Sequence, residues 1–484
     1  MKPTQSCGAV LPSPKVFTAC AIFRSRPRSR PRLRFSFFGR GVSRNGFSSS
    51  PHRLTWVVAL TLLAAGLLTA QADWPQFRGP WGDGQVSAPG DTRLLGLPLE
   101  WSETNNIKWK TEIPERGWST PAVLGDQIWL TTATPDGHDF FVLCVDAQTG
   151  KILLDEKLFH CDAPEPLGNA VNCYATPSPA IEPGRVYVHF GSYGTACLDT
   201  GTRQVLWKRS DLPCRHYRGP SSSPVLFENL VILTFDGVDL QYVVGLDKLT
   251  GKTVWKTDRS FTWDDKNDPS AMVRDGDRHK AHSTPLLIDY NSKTQLVSTA
   301  ARSAYAYDPA TGKELWRIHH DSWSAAPMPV YRQGLAFLIS GAGKTRLLAV
   351  RVDGQGDVTD THIAWTVDSM VANTASPVVV DDLLYMVTDD GMVTCLETAT
   401  GKEVWRQRIN GKYAASPIHA DGRLYFFNQS GETTVLKPGR TFQLLATSTL
   451  ADGFMASPAV AGKALILRTK TSLYRVESSN AGSP

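Results

Sequence analysis

Few residue patterns in this 484-residue chain could do chemistry. Asp277-Arg-His279-Lys-Ala-His282 sets two imidazoles and a carboxylate at short spacing, a donor set that converges on a metal ion when a strand or helix orients it. No periodic pattern surrounds it, so a solvated loop is expected and no metal site is assigned. Trp263-Asp264-Asp265-Lys-Asn267-Asp268 could offer oxygen ligands to Ca²⁺, yet it lacks the Gly and terminal Glu of an EF-hand and reads as an exposed acidic turn. Gly341-Ala-Gly-Lys-Thr345 has the tail of a phosphate-binding loop, but Leu338 stands where the first glycine belongs, and no helical pattern follows. A hairpin turn is expected there. The chain has no GxSxG elbow, HExxH pattern or CxxC pair, so hydrolytic and zinc chemistry have no foothold.

What the sequence does contain is a repeat. Asp247-Lys-Leu-Thr-Gly251-Lys-Thr-Val-Trp255, Asp308-Pro-Ala-Thr-Gly312-Lys-Glu-Leu-Trp316 and Glu397-Thr-Ala-Thr-Gly401-Lys-Glu-Val-Trp405 share one pattern. Asp146 to Leu154 follows it through Gly150, with Leu in the Trp slot, and Asp199 to Trp207 keeps the spacing with its Gly moved. With Trp109, Trp365 and Leu445 the marks number eight, at a mean interval of 48 residues between 109 and 445. A second mark runs in step: a Pro, usually after Ser or Thr, opens an apolar stretch at Pro121, Pro179, Pro224, Pro285, Pro327, Pro377, Pro417 and Pro458. Short runs of β-branched and aromatic residues lie between, and the sequence beyond residue 72 shows no sustained helical period. Each unit therefore reads as four antiparallel strands: the Asp and Gly close the turn before the last strand, and the Trp docks on the next unit. Such sheets cannot bury both faces alone, so they stack in a ring, an all-β, eight-bladed propeller. Barrels or tandem sandwiches would need no Trp mark at a regular interval. The last unit supplies only three strands, and Ile107-Lys-Trp-Lys110 is expected to supply its fourth and close the ring.

A ring architecture also says where a ligand would meet the chain: at the loops feeding the innermost strands, just before each Pro. Those positions include Trp118, Asn172, Tyr174, His216, Arg218, His282, Trp323, Asn373, Tyr413 and Phe454. Aromatic faces with interspersed Arg, His and Asn suit a flat or sugar-like ligand, although several could simply cap the hub.

The remaining sequence bounds compartment and partners. Leu54 to Leu68 is an apolar run too short to span a bilayer, followed by Ala70-Gln71-Ala72, and reads as a secretory signal cut before Asp73. Arg-rich residues 1–52 are an awkward preface to such a signal and are expected to lie upstream of the true start. Eleven of the 51 Lys and Arg fall in residues 1–72, which hold no Asp or Glu, leaving 40 basic against 46 acidic residues beyond, a net charge of −6. Nucleic-acid binding is thereby excluded as a reading of the overall positive charge. The expected organisation is an extension and signal over 1–72, a strap over 73–105, the propeller over 106–477 and a tail over 478–484. Cys144, Cys197 and Cys395 recur at one repeat position and are expected to be buried free thiols, whereas Cys161, Cys173 and Cys214 lie in loop-like sequence and are the better disulfide candidates.

The Thr-Gly-Lys-x-x-Trp turns, the eight units and the opening Asp73-Trp-Pro-Gln-Phe-Arg-Gly-Pro80 resemble the pyrroloquinoline-quinone (PQQ) repeat propellers, the superfamily of the quinoprotein alcohol dehydrogenases. The resemblance covers roughly residues 106–477 and implies the fold; the superfamily also holds non-enzymatic members, among them a propeller lipoprotein that assists outer-membrane protein assembly. For the enzymes it implies PQQ and Ca²⁺ above the ring, a vicinal disulfide, a carboxylate-and-amide metal set and an Asp base. This chain has no adjacent cysteines, and only Asp236 and Asp239 present themselves as a carboxylate pair. The residues themselves assign no cofactor. The expectation is an exported, monomeric, non-catalytic binding or scaffolding module for a protein or glycan partner, with a PQQ/Ca²⁺-dependent alcohol dehydrogenase as the alternative.

Overall fold

The computed structural model describes residues 73–88, 90–168, 170–262 and 277–478. The leader expected in residues 1–72, the acidic stretch Trp263–Asp268 and the tail beyond residue 478 lie outside them. The described chain is a propeller of eight antiparallel sheets. Its innermost strands, in chain order, are Ala122–Leu124, Ala180–Glu182, Val225–Phe227, Leu286–Tyr290, Val330–Arg332, Val378–Val380, Ile418–Ala420 and Ala459–Ala461, which begin blades 1 to 8. Seven of these begin at the residue after the expected Pro mark; in blade 5 the strand begins directly after Pro329, so the mark there is Pro329 and not Pro327. Blade 8 completes itself with Ile107–Glu112, paired antiparallel with Ser472–Glu477 so that Lys110 faces Tyr474. Blade 4 carries a short fifth strand, Gly356–Asp357, parallel to Glu314–His319. Among the described residues no helix is long and apolar enough to cross a membrane.

The repeat works as side-chain chemistry dictates. Asp247 Oδ1 accepts the Thr250 N–H at 2.8 Å and the Thr250 hydroxyl at 2.7 Å, Asp146 binds Thr149 in the same way, and the chain then turns through Gly150, Gly251, Gly312 and Gly401 at φ between 70° and 74°. In the Asp199 unit, where the Gly has moved, Arg203 takes this left-handed position at φ 63°. These glycines are pressed by the preceding blade's mark: a Cβ on Gly150 would come 2.7 Å from the Trp109 ring, on Gly251 2.7 Å from Trp207, on Gly312 2.4 Å from Trp255, and on Gly401 2.6 Å from Trp365. The indole N–H groups of Trp109, Trp207, Trp365 and Trp405 then donate to Ala147 O, Lys248 O, Thr398 O and Gly439 O of the next blade at 2.9–3.1 Å. Trp316 instead donates to Gln295 Oε1 at 2.9 Å.

Every outer strand bulges by one residue beside its mark, which aims the side chain at the neighbouring blade. In blade 7 the bulged residue is Leu445 itself, and Ala446 occupies the register position of the other marks, a shift that context alone does not reveal. Opposite six of the eight marks the strand position is small: Cys144, Cys197 and Cys395 face Leu154, Trp207 and Trp405, where Gly245, Ala306 and Ala349 face Trp255, Trp316 and Trp365. This explains the recurring cysteines. Burial pushes their thiols up to about 11 for Cys144 and about 12 for Cys197 and Cys395, which keeps them protonated. All six cysteines of the described residues are free, so the bridges expected from Cys161, Cys173 and Cys214 are not formed. Cys173 Sγ lies 3.3 Å from Thr176 Oγ1, and Cys214 Sγ lies 3.7 Å from Leu240 O; each thiol is packed against its own polar neighbour.

Candidate functional site

The hub has two different ends. Residues two positions past the Pro marks pair with the strap: the Trp74 N–H donates to Val123 O at 2.9 Å, the Ile181 N–H to Pro75 O at 2.8 Å, and the His419 N–H to Gly84 O at 2.9 Å. Arg78, 1% exposed, drives its guanidinium into the ring, donating to Pro417 O at 2.9 Å, to Asp83 O at 2.7 Å and to Pro377 O. Burial lowers its pKa to about 10, so it stays charged, held by these carbonyl oxygens and by the nearby Asp83 carboxylate. The strap is therefore a plug across the hub.

Residues just before the Pro marks form the other end, and here the Ser and Thr that precede the prolines build a belt. The Thr120 N–H donates to Ser178 Oγ, Ser178 to Ser223 Oγ and Ser223 to Thr284 Oγ1, at 2.9–3.0 Å. A second run goes from the Met328 N–H to Ser376 Oγ, from Ser376 to Ser416 Oγ and from Ser416 to Ser457 Oγ, each at 2.9 Å. The belt breaks at blade 5, where Met328 precedes Pro329 and gives its N–H but has no hydroxyl, and at blade 1, where Thr120 Oγ1 is buried without a partner. The signal for this belt is in the sequence, as the residue type before each Pro, but only the ring geometry turns it into a structure.

On the belt sits a cavity of about 460 Å³. Of the ten hub positions predicted from the sequence, Trp118, Asn172, Arg218, His282, Trp323 and Asn373 line it. Tyr174, His216, Tyr413 and Phe454 do not. The Tyr174 hydroxyl donates to Glu165 O and that of Tyr413 to Asn410 O, while Phe454 packs edge-on to Phe427 at 5.4 Å and His216 is buried beneath the cavity, accepting from Lys280 Nζ at 3.3 Å. An extended loop alternates sides, so the following residues, Ala414 and Met455, face the cavity instead. Asp389, Ser221 and Phe77 also line it and were not anticipated.

The walls are rigid. The Trp118 loop is clamped by Arg468, whose buried guanidinium donates to Ser119 O and Thr131 O at 3.1 Å, and Arg116 lies 4.9 Å over the Trp118 ring. Trp323 carries Arg278 at 4.5 Å and packs on Gly343, where a Cβ would come within 2.5 Å of the indole. Asn172 spends its amide on Arg218 O and Ser221 Oγ at 2.7 and 2.8 Å, a positioning role. His282 Nδ1 lies 3.1 Å from Ser221 Oγ, and burial, with Lys280 and Arg218 nearby, holds its imidazole neutral. Asp389 is the only carboxylate among the lining residues and accepts from the Thr374 N–H at 3.1 Å and the Thr374 hydroxyl at 3.2 Å. The Asp277–His282 segment is correspondingly not the solvated loop expected: His279 and Lys280 are buried, and His279 Nδ1 contacts Val238 O.

The family model described as outer membrane protein assembly factor BamB matches residues 108–258 and 239–480. The chain belongs to this PQQ-repeat propeller family. No curated protein matches the sequence. Among solved structures it is similar to BamB from Moraxella catarrhalis (13% identity, TM-score 0.54, covering 76% of this chain and 99% of that one). It is also similar to the quinohemoprotein alcohol dehydrogenase from Comamonas testosteroni (13%, 0.60, 85% and 82%) and to a europium-containing methanol dehydrogenase (13%, 0.56, 83% and 88%). At such identity these likenesses show the fold.

This PQQ-repeat propeller does not fit the PQQ–Ca²⁺ couple that the enzymes of its superfamily imply. Ca²⁺ takes about six to eight oxygen ligands, usually with several carboxylates. The cavity offers Asp389 alone, with Asn373 Nδ2 3.4 Å from it, and no cluster of three metal-ligating residues occurs among the described ones. Asp236 and Asp239 do not supply the missing pair. Asp236 is locked to Arg259 by bonds of 2.7 and 3.0 Å, and Asp239 accepts the backbone N–H groups of Arg215 and Leu240.

Proposed function

We propose that this PQQ-repeat propeller is an exported, monomeric, non-catalytic binding module that holds a protein or glycan partner at the open mouth of its hub. The observation that carries this reading is the asymmetry of the hub: one end is plugged by the chain's own strap, while the other is a walled cavity with two indoles and one already engaged carboxylate. Such a site can hold a ligand, but it presents no paired carboxylates to act as base and metal ligand. The apolar run and Ala-x-Ala motif before Asp73 support export. Likeness to a family described as an outer membrane protein assembly factor supports a partner-binding role, and the tryptophan walls support a sugar or peptide ring as the bound group.

The test is thermal unfolding of the mature chain against a glycan and peptide panel, run beside dye-coupled alcohol oxidation with added PQQ and Ca²⁺. A true ligand at a hundred times its Kd adds about 2.7 kcal/mol, and the Trp118→Ala variant loses that gain. Alcohol-dependent dye reduction would sink the non-catalytic reading.

A further inference from the structure

Resting on that reading of the hub mouth, we propose that the cavity is an oxyanion receptor that takes the carboxylate or sulfate of an acidic sugar. The belt carries the argument. Each of its six hydroxyls, on Ser178, Ser223, Thr284, Ser376, Ser416 and Ser457, uses a lone pair to accept a backbone N–H from the neighbouring blade. A hydroxyl carries one proton as well, and among the described residues none of these six protons is given to a protein acceptor. All six side chains are more than nine-tenths buried and line the cavity. The floor is thus a partial ring of inward O–H donors, arranged by the symmetry of the fold rather than by any one loop.

The rest of the wall has the same bias. Trp118 Nε1 is a buried donor without a partner, Arg218 lies on the wall, and a guanidinium covers each of the two indoles. Against these stand Asp389, already accepting from Thr374, and the unpartnered Asn373 Oδ1. A site so rich in donors favours a ligand that only accepts, and charge-assisted bonds to an anion are the strongest available to it. The indoles add faces for a pyranose ring, and 460 Å³ lies within the usual range of small-ligand pockets. An oxyanion on a sugar ring satisfies floor and walls together.

The test is titration calorimetry on the full secreted chain with three probes: digalacturonate, galactobiose and inorganic sulfate. Digalacturonate is expected to bind about tenfold or more tighter than galactobiose, with the gap shrinking as salt is raised. Arg218→Gln closes most of that gap. Trp323→Ala weakens both sugars alike. Equal affinity for the acidic and neutral sugars overturns the oxyanion inference and leaves hub-mouth binding intact. Sulfate displacing digalacturonate at equal concentration overturns the sugar half of it, and silence from all three probes overturns it whole. Calcium-dependent PQQ binding in the cavity overturns both this inference and the reading beneath it.

Discussion

At the scale of single residues, the chain places ionisable groups where a mistake is expensive. Asp236 and Arg259, each side chain 3% exposed, form a two-pronged ion pair that also reaches Ser298 Oγ and Tyr307 OH. Asp236→Asn leaves a buried guanidinium uncompensated and is expected to lower the unfolding free energy by about 3–5 kcal/mol, read by urea denaturation. His189 and His320 are a second case: burial lowers their pKa from 6.5 to about 3 and about 4. Above pH 6.5 each imidazole is neutral in both states. Below it the unfolded chain takes up protons that the folded one refuses, so stability is lost as the pH falls from 6.5 toward those values. At pH 5 the loss is about 2 kcal/mol per residue. His189→Gln is expected to flatten the stability profile between pH 5 and 6.5 by about one proton, measured by denaturation at each pH.

The scale of elements is where the sequence was most readable. Glycine at the left-handed turn, Trp on the bulged outer strand and Pro at the mouth of the inner strand are each fixed by backbone sterics or docking, so they recur and can be counted. The pressure of the Trp on the turn can be measured. Gly251→Ala meets both an adverse φ of 70° and the Trp207 ring, while Gly422→Ala meets only an adverse φ of 67° in open space. The second substitution is expected to cost about 1 kcal/mol and the first clearly more, about 2–4 kcal/mol, in thermal unfolding of the two variants. What resisted reading was side-chain direction in loops. Trp118 stands three residues before its Pro and Phe454 four, and because side chains alternate along the loop one walls the cavity while the other fills a core, Met455 taking the wall in blade 8. Lys280 and His279 read as solvated because no local pattern announces that a polar run will be buried between sheets. The cavity's carboxylate, Asp389, follows an inner-blade strand and carries no motif of its own.

For the whole molecule, the strap does more than cover a surface. Within residues 73–101 it bonds or packs to blades 1, 2, 6 and 7, through Val123, Ile181, Val379 and Pro377, and His419 and Tyr425, and Phe77 reaches the core between blades 4 and 5. Arg78→Ala strips the donor from three backbone carbonyls at once and is expected to cost about 3 kcal/mol or more, with hydrogen exchange accelerating first at Val123, Ile181 and His419. Protection unchanged at those amides would show that the strap is a passenger. The formal charge of −6 beyond residue 72 also means that any attraction of the hub mouth for anions is local, made by the belt and its arginines against the general field.

The closing of blade 8 has a consequence in time. Ile107–Glu112 is made early in synthesis, but its partner Ser472–Glu477 is made last, so throughout translation the growing chain carries an unmated strand edge. Blades 1 to 7 can form one after another as they emerge, yet the circle stays an open arc until the final strand arrives. An exposed edge waiting that long is an invitation to pair with the wrong chain, which makes shielding of that edge until the last strand arrives the step on which the yield of this protein turns.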